Sequence, residues 1–334
     1  MDAPIRFGII ACSNVARRRF LPALRASSSA RLEHIGSRDP EKGKQYAREF
    51  SCEKFGSYEA VLSDPDVDAV YISTPPSLHE AWVNKAIAAG KHVLCEKPAF
   101  GDFDAAVSSV ERCRNTGVRL MEGYSFKFHP QHKAVRSLIE LGRIGQQRFF
   151  CAEFTYPRPP GSDIRLDPSL DGGVFCDSAG YPIAAALLQV SAHPATVFCQ
   201  MSRDRAAGVD NSFCLWIRFA GGEMAQALVA FDMHYRSRYA VSGTRGRVEV
   251  ARAFAVTSQM KTTITLETDD REENIVLEPA DQFCLMVDEF CAQIRGASPW
   301  KDFEGELLLQ HAVMDASARS NRERRAIDLS EYAI

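Results

Sequence analysis

No stretch of this chain approaches the roughly 18 to 20 consecutive apolar residues that a membrane-spanning helix needs. A basic block interleaved with aromatics is also missing, and a formal net charge of -3 offers no electrostatic footprint for nucleic acid. The Arg17-Arg18-Arg19 triplet is too short to supply one. The first apolar run begins after four residues, without the basic region, apolar stretch and cleavage site of a leader in series, which points to a cytoplasmic protein with no membrane partner. Ten cysteines are present, yet no C-x-x-C pair and no histidine at metal-ligand spacing accompanies them. Reduced thiols and no bound metal are therefore expected. Cys284 and Cys291 stand a heptad apart among Phe283, Val287 and Phe290, the spacing of a buried helical face. Internal repeats and low-complexity linkers are absent as well.

What is there is enough chain for two cores: 334 residues, of which 46% are hydrophobic and 25% charged. Up to about residue 125, short apolar runs alternate with helix-period segments. "IRFGIIA", "RLEHIGS", "DAVYIST", "KHVLCE" and "VRLMEGY" have the character of buried strands. "NVARRRFLPALRAS", "PEKGKQYAREF", "SLHEAWVNKAIAAG" and "DFDAAVSSVERCRNTG" have that of helices, with Pro40 in a first turn and Gly90 and Gly117 as stops. Alternation of this kind predicts a doubly wound parallel sheet, a Rossmann domain over 1–125, whose ligand lies at the carboxyl ends of the strands. Beyond 125 the rhythm changes. Strand-like runs at 195–202, 212–219, 223–231, 238–242, 246–250 and 262–267 follow the helix "PQHKAVRSLIELG" and the run "QQRFFCAEFTY". Helices are expected at 172–190, 280–296 and 303–322. The region 126–334 is therefore expected to be an α+β domain built on an open, mainly antiparallel sheet.

Glycine is missing where it matters most. "FGIIACSNVARRR" leads a strand into a turn and helix but carries Ala11, Ser13 and Ala16 where a phosphate-binding fingerprint has three glycines. All three are small, as close backbone approach requires. The amides of Cys12, Ser13, Asn14 and Val15 fall at a helix N-terminus that favours a pyrophosphate. The Ser13 hydroxyl is expected to donate to phosphate, and Arg17 or Arg18 to approach a 2'-phosphate. At the end of the second strand, "HIGSRDPEK" places Ser37 and Arg38 at the ribose-reading position, a pair suited to a 2'-phosphate. Asp39, one residue later, is expected to cap the helix starting at Pro40. NADP(H) is the coenzyme these residues predict. "CEKPAFG", at the edge of a later strand, points Lys97, beside Glu96, toward the place of a nicotinamide ring.

Taken together, "EKP", "DPDVDAVYISTPPSLH", "GGVFCDSAGYP" and the Ser37-Arg38 pair resemble the glucose-fructose oxidoreductase/inositol dehydrogenase family, the GFO/IDH/MocA oxidoreductases. The resemblance spans essentially the whole chain. "SDIRLDPSLDGG", "AGYP", "HYRSRYAVSGTRGRVEV" and "PADQF" look most like its nucleotide-sugar ketoreductase branch, which reduces the C-3 keto group of dTDP-linked deoxysugars with NADPH. The resemblance implies that Lys97 is the catalytic lysine and that Asp177 and Tyr181 are the family's D-x-x-x-H/Y pair, which share one helical face. Many relatives have histidine where this chain has Tyr181. It further implies that Thr74, Pro75 and His79 touch the dinucleotide and that Tyr124 flanks the nicotinamide. Arg165 and Tyr235 are candidates to hold a sugar or its diphosphate, a guanidinium being suited to phosphate. A dimer or tetramer packed through the open sheet is implied too. Dihydrodiol and free-sugar dehydrogenases share much of the pattern, and a sensor that binds dinucleotide without catalysis is an alternative of another class. Intact Lys97, Asp177 and Tyr181 argue against the sensor.

Overall fold

The computed structural model describes residues 3–161, 163–170 and 172–332. Its strands are β1 (Ile5–Ile10), β2 (Ala30–Gly36), β3 (Lys54–Gly56), β4 (Ala69–Ile72), β5 (His92–Cys95) and β6 (Leu120–Glu122), interleaved with helices α1 (Leu21–Ala26), α2 (Pro40–Glu49), α3 (Tyr58–Ser63), α4 (His79–Ala88) and α5 (Phe103–Thr116). The second half adds α6 (Pro130–Glu140), β7 (Gln147–Tyr156), α7 (Val174–Ser178), α8 (Gly180–Gln189), β8 (Pro194–Arg203), β9 (Asp210–Phe219) and β10 (Met224–Phe231). After these come β11 (Arg236–Gly243), β12 (Gly246–Val250), β13 (Thr262–Thr268), β14 (Glu272–Leu277), α9 (Gln282–Arg295), α10 (Phe303–Glu323) and β15 (Ile327–Asp328). No helix among the described residues is long and apolar enough to cross a membrane.

Strands β1 to β6 form one parallel sheet in the order β3-β2-β1-β4-β5-β6, the doubly wound arrangement that the alternating sequence predicts. Its strands are buried on both faces, so they read as continuous apolar runs. On one face Phe7 packs edge-on to Phe20, which stacks on Tyr71 with centroids 3.6 Å apart. On the other, Ile10, Val70, Ile72 and Val93 meet Val61, Val83 and Val110. Gly8 is required there, because a Cβ would stand 2.3 Å from Val61 Cγ1. The short strand β3 and helix α3 carry too few residues to show a period, and the sequence reading passed over both.

The helix after β1 departs from regularity for a stated reason. Residues Ala16–Phe20 form a π-helical turn ahead of α1. Pro22 follows, and its ring has no N–H to offer and crowds the preceding turn, so the helix widens before it.

The chain divides into two compact units, Met1–Ser125 with Phe283–Leu308, and Phe126–Gln282 with Leu309–Ile334. A boundary at 125 alone therefore leaves out one return of the chain: helix α9 and the start of α10 belong with the first unit. Phe290 of α9 lies 6.3 Å from the Phe7 ring, and Asp288 accepts the Ser27 hydroxyl at 2.5 Å. Cys291 on the same helix is fully buried, whereas Cys284 is half-buried. The second unit holds a nine-stranded sheet in the order β14-β13-β12-β11-β7-β10-β9-β8-β15, antiparallel except where β7 meets β10. Two edge strands, β14 and the two-residue β15, extend it beyond the expected strands. The C-terminal strand pairs Ile327 with Val197 and buries it.

The first unit closes on one ion pair. The Arg119 guanidinium, stacked 3.9 Å over Trp300, donates to both Glu304 oxygens at 2.9 and 3.2 Å, and Glu304 also accepts the Leu120 amide. The side chains are 8% and 6% exposed. Glu304→Ala leaves a buried guanidinium uncompensated and is expected to cost about 3–5 kcal/mol, read as a lowered unfolding midpoint in urea.

Candidate active site

The residues singled out from the sequence fall into two groups, one in each unit. In the first, β1 ends at Ile10 and Ala11 takes φ 90°, a value normally left to glycine. The turn is then closed by side chains. The Ser13 hydroxyl donates to Ser73 Oγ at 2.8 Å and accepts the Ala16 amide at 3.1 Å, while Ser73 lies 3.2 Å from the Ala11 carbonyl. Tyr46 donates to the Ser13 carbonyl at 3.2 Å. The expectation that Ser13 donates to phosphate is thereby corrected, since its one proton already has an acceptor. Asn14 and Val15 begin the helix, where the amides lack partners of their own turn. Arg17 is also corrected: Glu49 holds it at 2.9 Å. Arg18 is exposed and makes no ion pair among the described residues.

At the end of β2, Asp39 turns its carboxylate away from any ribose and into α2, accepting the amides of Glu41 and Lys42 at 2.9 and 3.2 Å. Ser37, buried, accepts the Asp39 amide at 3.1 Å. Arg38 is exposed beside the Tyr58 hydroxyl; burial pushes that phenol up and Arg38 works against it. The buried Cys12 thiol is pushed up by desolvation, with Ser37 and Lys42 opposing. Lys42, which the sequence did not single out, thus brings a second cation to this corner.

Beyond β4, Thr74 is buried and its Oγ1 has no hydrogen-bond partner among the described residues. An orphaned hydroxyl at this edge, together with a positive-φ turn, a helix start and a serine-arginine pair, fits a phosphorylated dinucleotide. Pro75 beside it is half-buried. His79 does not fit the role of a direct dinucleotide contact. It is 1% exposed, with Nδ1 2.7 Å from the Pro98 carbonyl and Nε2 2.8 Å from the Thr74 carbonyl. Burial pushes the imidazole below its usual range, while the two carbonyls and Glu122 pull the other way.

Lys97 follows β5, with a cis bond to Pro98. Glu96 Oε1 accepts the Tyr71 hydroxyl at 2.5 Å; burial raises this carboxyl, and Tyr71 and the Lys97 charge lower it. Glu122 Oε1 accepts the Ala99 amide at 2.8 Å. Gly123 is needed beside them, since a Cβ would stand 3.1 Å from the Cys95 carbonyl. Tyr124, the next residue, is buried.

In the second unit, α7 and α8 meet at Ala179, which keeps helical angles, so the helical spacing of Asp177 and Tyr181 survives the junction. The glycines ahead of them are steric. A Cβ on Gly172 would lie within 2.6 to 2.9 Å of the carbonyls of Asp167, Arg165 and Ile164, and one on Gly173 would strike Asp210. Asp210 needs that space, because its carboxylate accepts the Phe175 amide at 2.6 Å at the start of α7.

Asp177 Oδ2 accepts from Tyr156 and Ser178, each at 3.1 Å, and lies 3.8 Å from Arg165 Nη1. Arg165 spends Nε and Nη2 on Asp163, both at 2.8 Å, and covers the Tyr156 ring at 5.5 Å. Its expected role toward phosphate is weakened by that pairing. Tyr156 and Ser178 escaped sequence reading, since β7 alone gives no sign of its partner. Tyr181 is half-buried in a box of Phe126, Phe154 and Phe254, with centroids 5.7, 5.2 and 5.8 Å away. Tyr235 lies in the β10–β11 turn, its ring under Arg252 at 4.8 Å.

Residues 5–124 match the model of an oxidoreductase family with an NAD-binding Rossmann fold, GFO/IDH/MocA, and residues 132–249 match the GFO/IDH/MocA C-terminal domain. The chain is 35% identical over 320 residues to dTDP-3,4-didehydro-2,6-dideoxy-alpha-D-glucose 3-reductase of Saccharopolyspora spinosa, covering 94% of this chain and 96% of that protein. It is 32% identical over 328 residues to D-xylose 1-dehydrogenase (NADP(+)) 2 of Haloferax volcanii, covering 97% and 99%. Among solved structures, the 3-ketoreductase KijD10 of Actinomadura kijaniata in complex with NADP and TDP-benzene superimposes with a TM-score of 0.89 at 33% identity, over 95% of this chain and 98% of that one.

The strained turn supplies a direct check. Ala11→Gly removes a Cβ from a positive-φ residue at the expense of a looser unfolded chain, so a net gain of up to about 1 kcal/mol is expected. Calorimetry is expected to show an unfolding temperature higher by about 2 °C or less, and no loss.

Proposed function

The chain belongs to the GFO/IDH/MocA family of oxidoreductases, and from that premise we propose that it is an NADP(H)-dependent reductase of a sugar carbonyl, acting at C-3 of a nucleotide-linked deoxysugar. The observation that carries this reading is that the chain holds both Lys97 and Tyr181 at the spacing found in a solved ketoreductase. Variants of KijD10 at a lysine and at a tyrosine are also similar in structure to this chain, and those two positions are separated along that chain as Lys97 and Tyr181 are along this one. The reductase relative from Saccharopolyspora and the NADP and TDP-benzene complex of KijD10 support the substrate and the coenzyme.

NADPH, when bound, supplies the hydride. The turn of Ala11, Cys12, Ser13, Asn14 and Val15 holds its pyrophosphate through the amides of Cys12, Asn14 and Val15, those of Ala11 and Ser13 being already bonded to the Gly36 and Ala11 carbonyls. Ser37 and Arg38 take the 2'-phosphate, with Arg18 and Lys42 adding charge. The Asp39 carboxylate is turned into its helix cap, which takes away the acidic acceptor that favours a free 2'-hydroxyl. Thr74, Pro75, Glu96 and Tyr124 line the nicotinamide side. The Lys97 ammonium polarises the carbonyl oxygen and stabilises the charge that develops on it; the Tyr181 hydroxyl then gives that oxygen its proton. Asp177, held by Tyr156 and Ser178, accepts from a sugar hydroxyl and orients the ring. Tyr235, with Arg252 over its ring, serves the nucleotide part, and Arg165, already paired with Asp163, steadies Asp177.

A homodimer or homotetramer packed through the open face of the nine-stranded sheet completes the proposal. That face carries Trp216 and Met224, 40% and 52% exposed, and Leu228, beside the ion pairs Arg238–Glu153 and Arg247–Glu249. Apolar area flanked by paired charges suits a self-complementary contact. Sedimentation is expected to give a dimer or larger, and Leu228→Arg to shift it toward monomer; a parent chain that sediments as a monomer at micromolar concentration rules this out.

The catalytic reading is tested by following NADPH absorbance with dTDP-linked 3-keto-6-deoxyhexoses, and NADP reduction with D-xylose and a trans-dihydrodiol. Turnover is expected with the nucleotide-linked ketone. Lys97→Ala and Tyr181→Phe are each expected to lower kcat by about 10²–10⁴-fold while NADPH affinity stays close to the parent's. A chain that binds NADPH yet oxidises it with no substrate would be the sensor instead.

A further inference from the structure

The segment carrying Lys97 leaves the sheet at Cys95 and is tied down by side chains on both sides of the lysine. Before it, Glu96 keeps its ladder bond to the Ile72 carbonyl at 2.9 Å and is held through its carboxylate by Tyr71. After it, the Pro98 carbonyl meets His79 and the Ala99 amide meets Glu122, at 2.7 and 2.8 Å. His79 differs from the other two ties in having a second attachment. Its other ring nitrogen stands 2.8 Å from the carbonyl of Thr74, the residue whose buried hydroxyl has no partner among the described residues. A rigid, flat ring between two carbonyls sets their separation: as the imidazolium it donates to both, and as the neutral ring it donates to one and packs against the other. Full burial excludes the water that would otherwise take over either bond.

We propose that His79 is a positioning residue for Lys97: by bridging the Thr74 and Pro98 carbonyls, it sets the main chain of the lysine against the turn that faces the coenzyme. Occupation of the Thr74 hydroxyl and the placement of the lysine then share one imidazole. Loading the coenzyme side thereby tightens the lysine side. The charged groups facing the ring are Glu122 and Lys97, and Glu96 stands beside that lysine. The inference rests on the reading of Lys97 as the group that polarises the substrate oxygen. It also explains why a histidine at the start of α4, where a coenzyme contact was expected, is buried instead.

Acetylation of the whole protein by acetic anhydride, resolved by peptide mass spectrometry, reports the reactivity of Lys97 without any substrate. Exposed Lys133 and Lys261 serve as internal references. In the parent, NADPH is expected to change the Lys97 rate while leaving the references alone. His79→Leu is expected to move the Lys97 rate by about threefold or more, or to displace its pH midpoint, and to blunt the response to NADPH. His79→Gln, whose amide keeps N–H donors for the carbonyls, is expected to return both toward the parent. In turnover, the leucine variant loses kcat by about tenfold with a KM for NADPH within about threefold, and the glutamine variant recovers it.

An unchanged Lys97 rate, pH midpoint and NADPH response in His79→Leu overturns the proposal, as does a glutamine variant no better than leucine. Should the leucine variant fail to fold, His79→Asn replaces it. Its shorter amide reaches one carbonyl at most, and parent-like behaviour there is equally fatal. Lys97→Ala, assayed alongside, separates the two readings: full turnover in that variant refutes the catalytic assignment itself, whereas a dead Lys97→Ala beside a normal His79→Leu refutes only the positioning role.

Discussion

A parallel strand that ends leaves main-chain donors and acceptors with no neighbour to pair them, and at the carboxyl edge of the six-stranded sheet this requirement governs nearly every polar side chain. Each unmet group buried there costs about 1–3 kcal/mol, so several of them would consume much of a domain's stability. The chain answers with side chains: Ser73 at the Ala11 carbonyl, Tyr46 at the Ser13 carbonyl, His79 at two carbonyls and Glu122 at the Ala99 amide. What that set leaves over among the described residues includes the Thr74 hydroxyl, one of the groups to which the proposal assigns the coenzyme. The binding surface is the remainder of a backbone-satisfaction problem.

In the second unit the same economy acts on charge. Asp177 is a carboxylate near protein, and it is kept in place by two hydroxyls and a guanidinium that has itself been shared with Asp163. Asp210 fixes the start of the same helix through the Phe175 amide, in space that only a glycine at 173 leaves open. The pair of glycines, the aspartate and the arginine therefore form one local device for aiming the helix face that carries Asp177 and Tyr181. Aromatic packing does the rest: three phenylalanines confine the Tyr181 ring, which loses little rotamer freedom beyond what the helix already takes.

Legibility in the sequence followed the range of the interactions. Ser37, Arg38 and Asp39 are adjacent, and a cap signal three residues long is enough to tell which of them faces the helix. Lys97 was singled out by a strand followed by Glu and Pro, and Asp177 with Tyr181 by resemblance to the family's D-x-x-x-H/Y pattern; the helical spacing of that pair is kept in the fold. The parts that were not legible depend on partners far along the chain. Arg17 is claimed by Glu49, 32 positions on, and the Arg119 guanidinium by Glu304, 185 positions on. Ser13 was expected to serve phosphate because its neighbours suggested a binding turn; only the fold reveals that Ser73 stands opposite it. The strand β3 and the edge strand β15 are too short for a period, and the return of α9 to the first unit is a matter of topology that no local pattern encodes.

Two phenols stand near Asp177 in the chain's second unit, and their environments separate their roles. Tyr156 is half-buried, and desolvation together with the Asp177 charge pushes its hydroxyl well above the ordinary range of a phenol. Its proton is already committed to a carboxylate at 3.1 Å. Giving that proton to a substrate would create a phenolate beside a carboxylate in a poorly solvated place, so the same contacts that make Tyr156 a good tether make it a poor acid. Tyr181 sits four residues after Asp177 on a helix face, also half-buried, with its ring packed among phenylalanines. A ring held by apolar walls keeps its direction. Of the two, Tyr156 is therefore the phenol placed to keep its proton, which leaves proton transfer to Tyr181 in the mechanism proposed above.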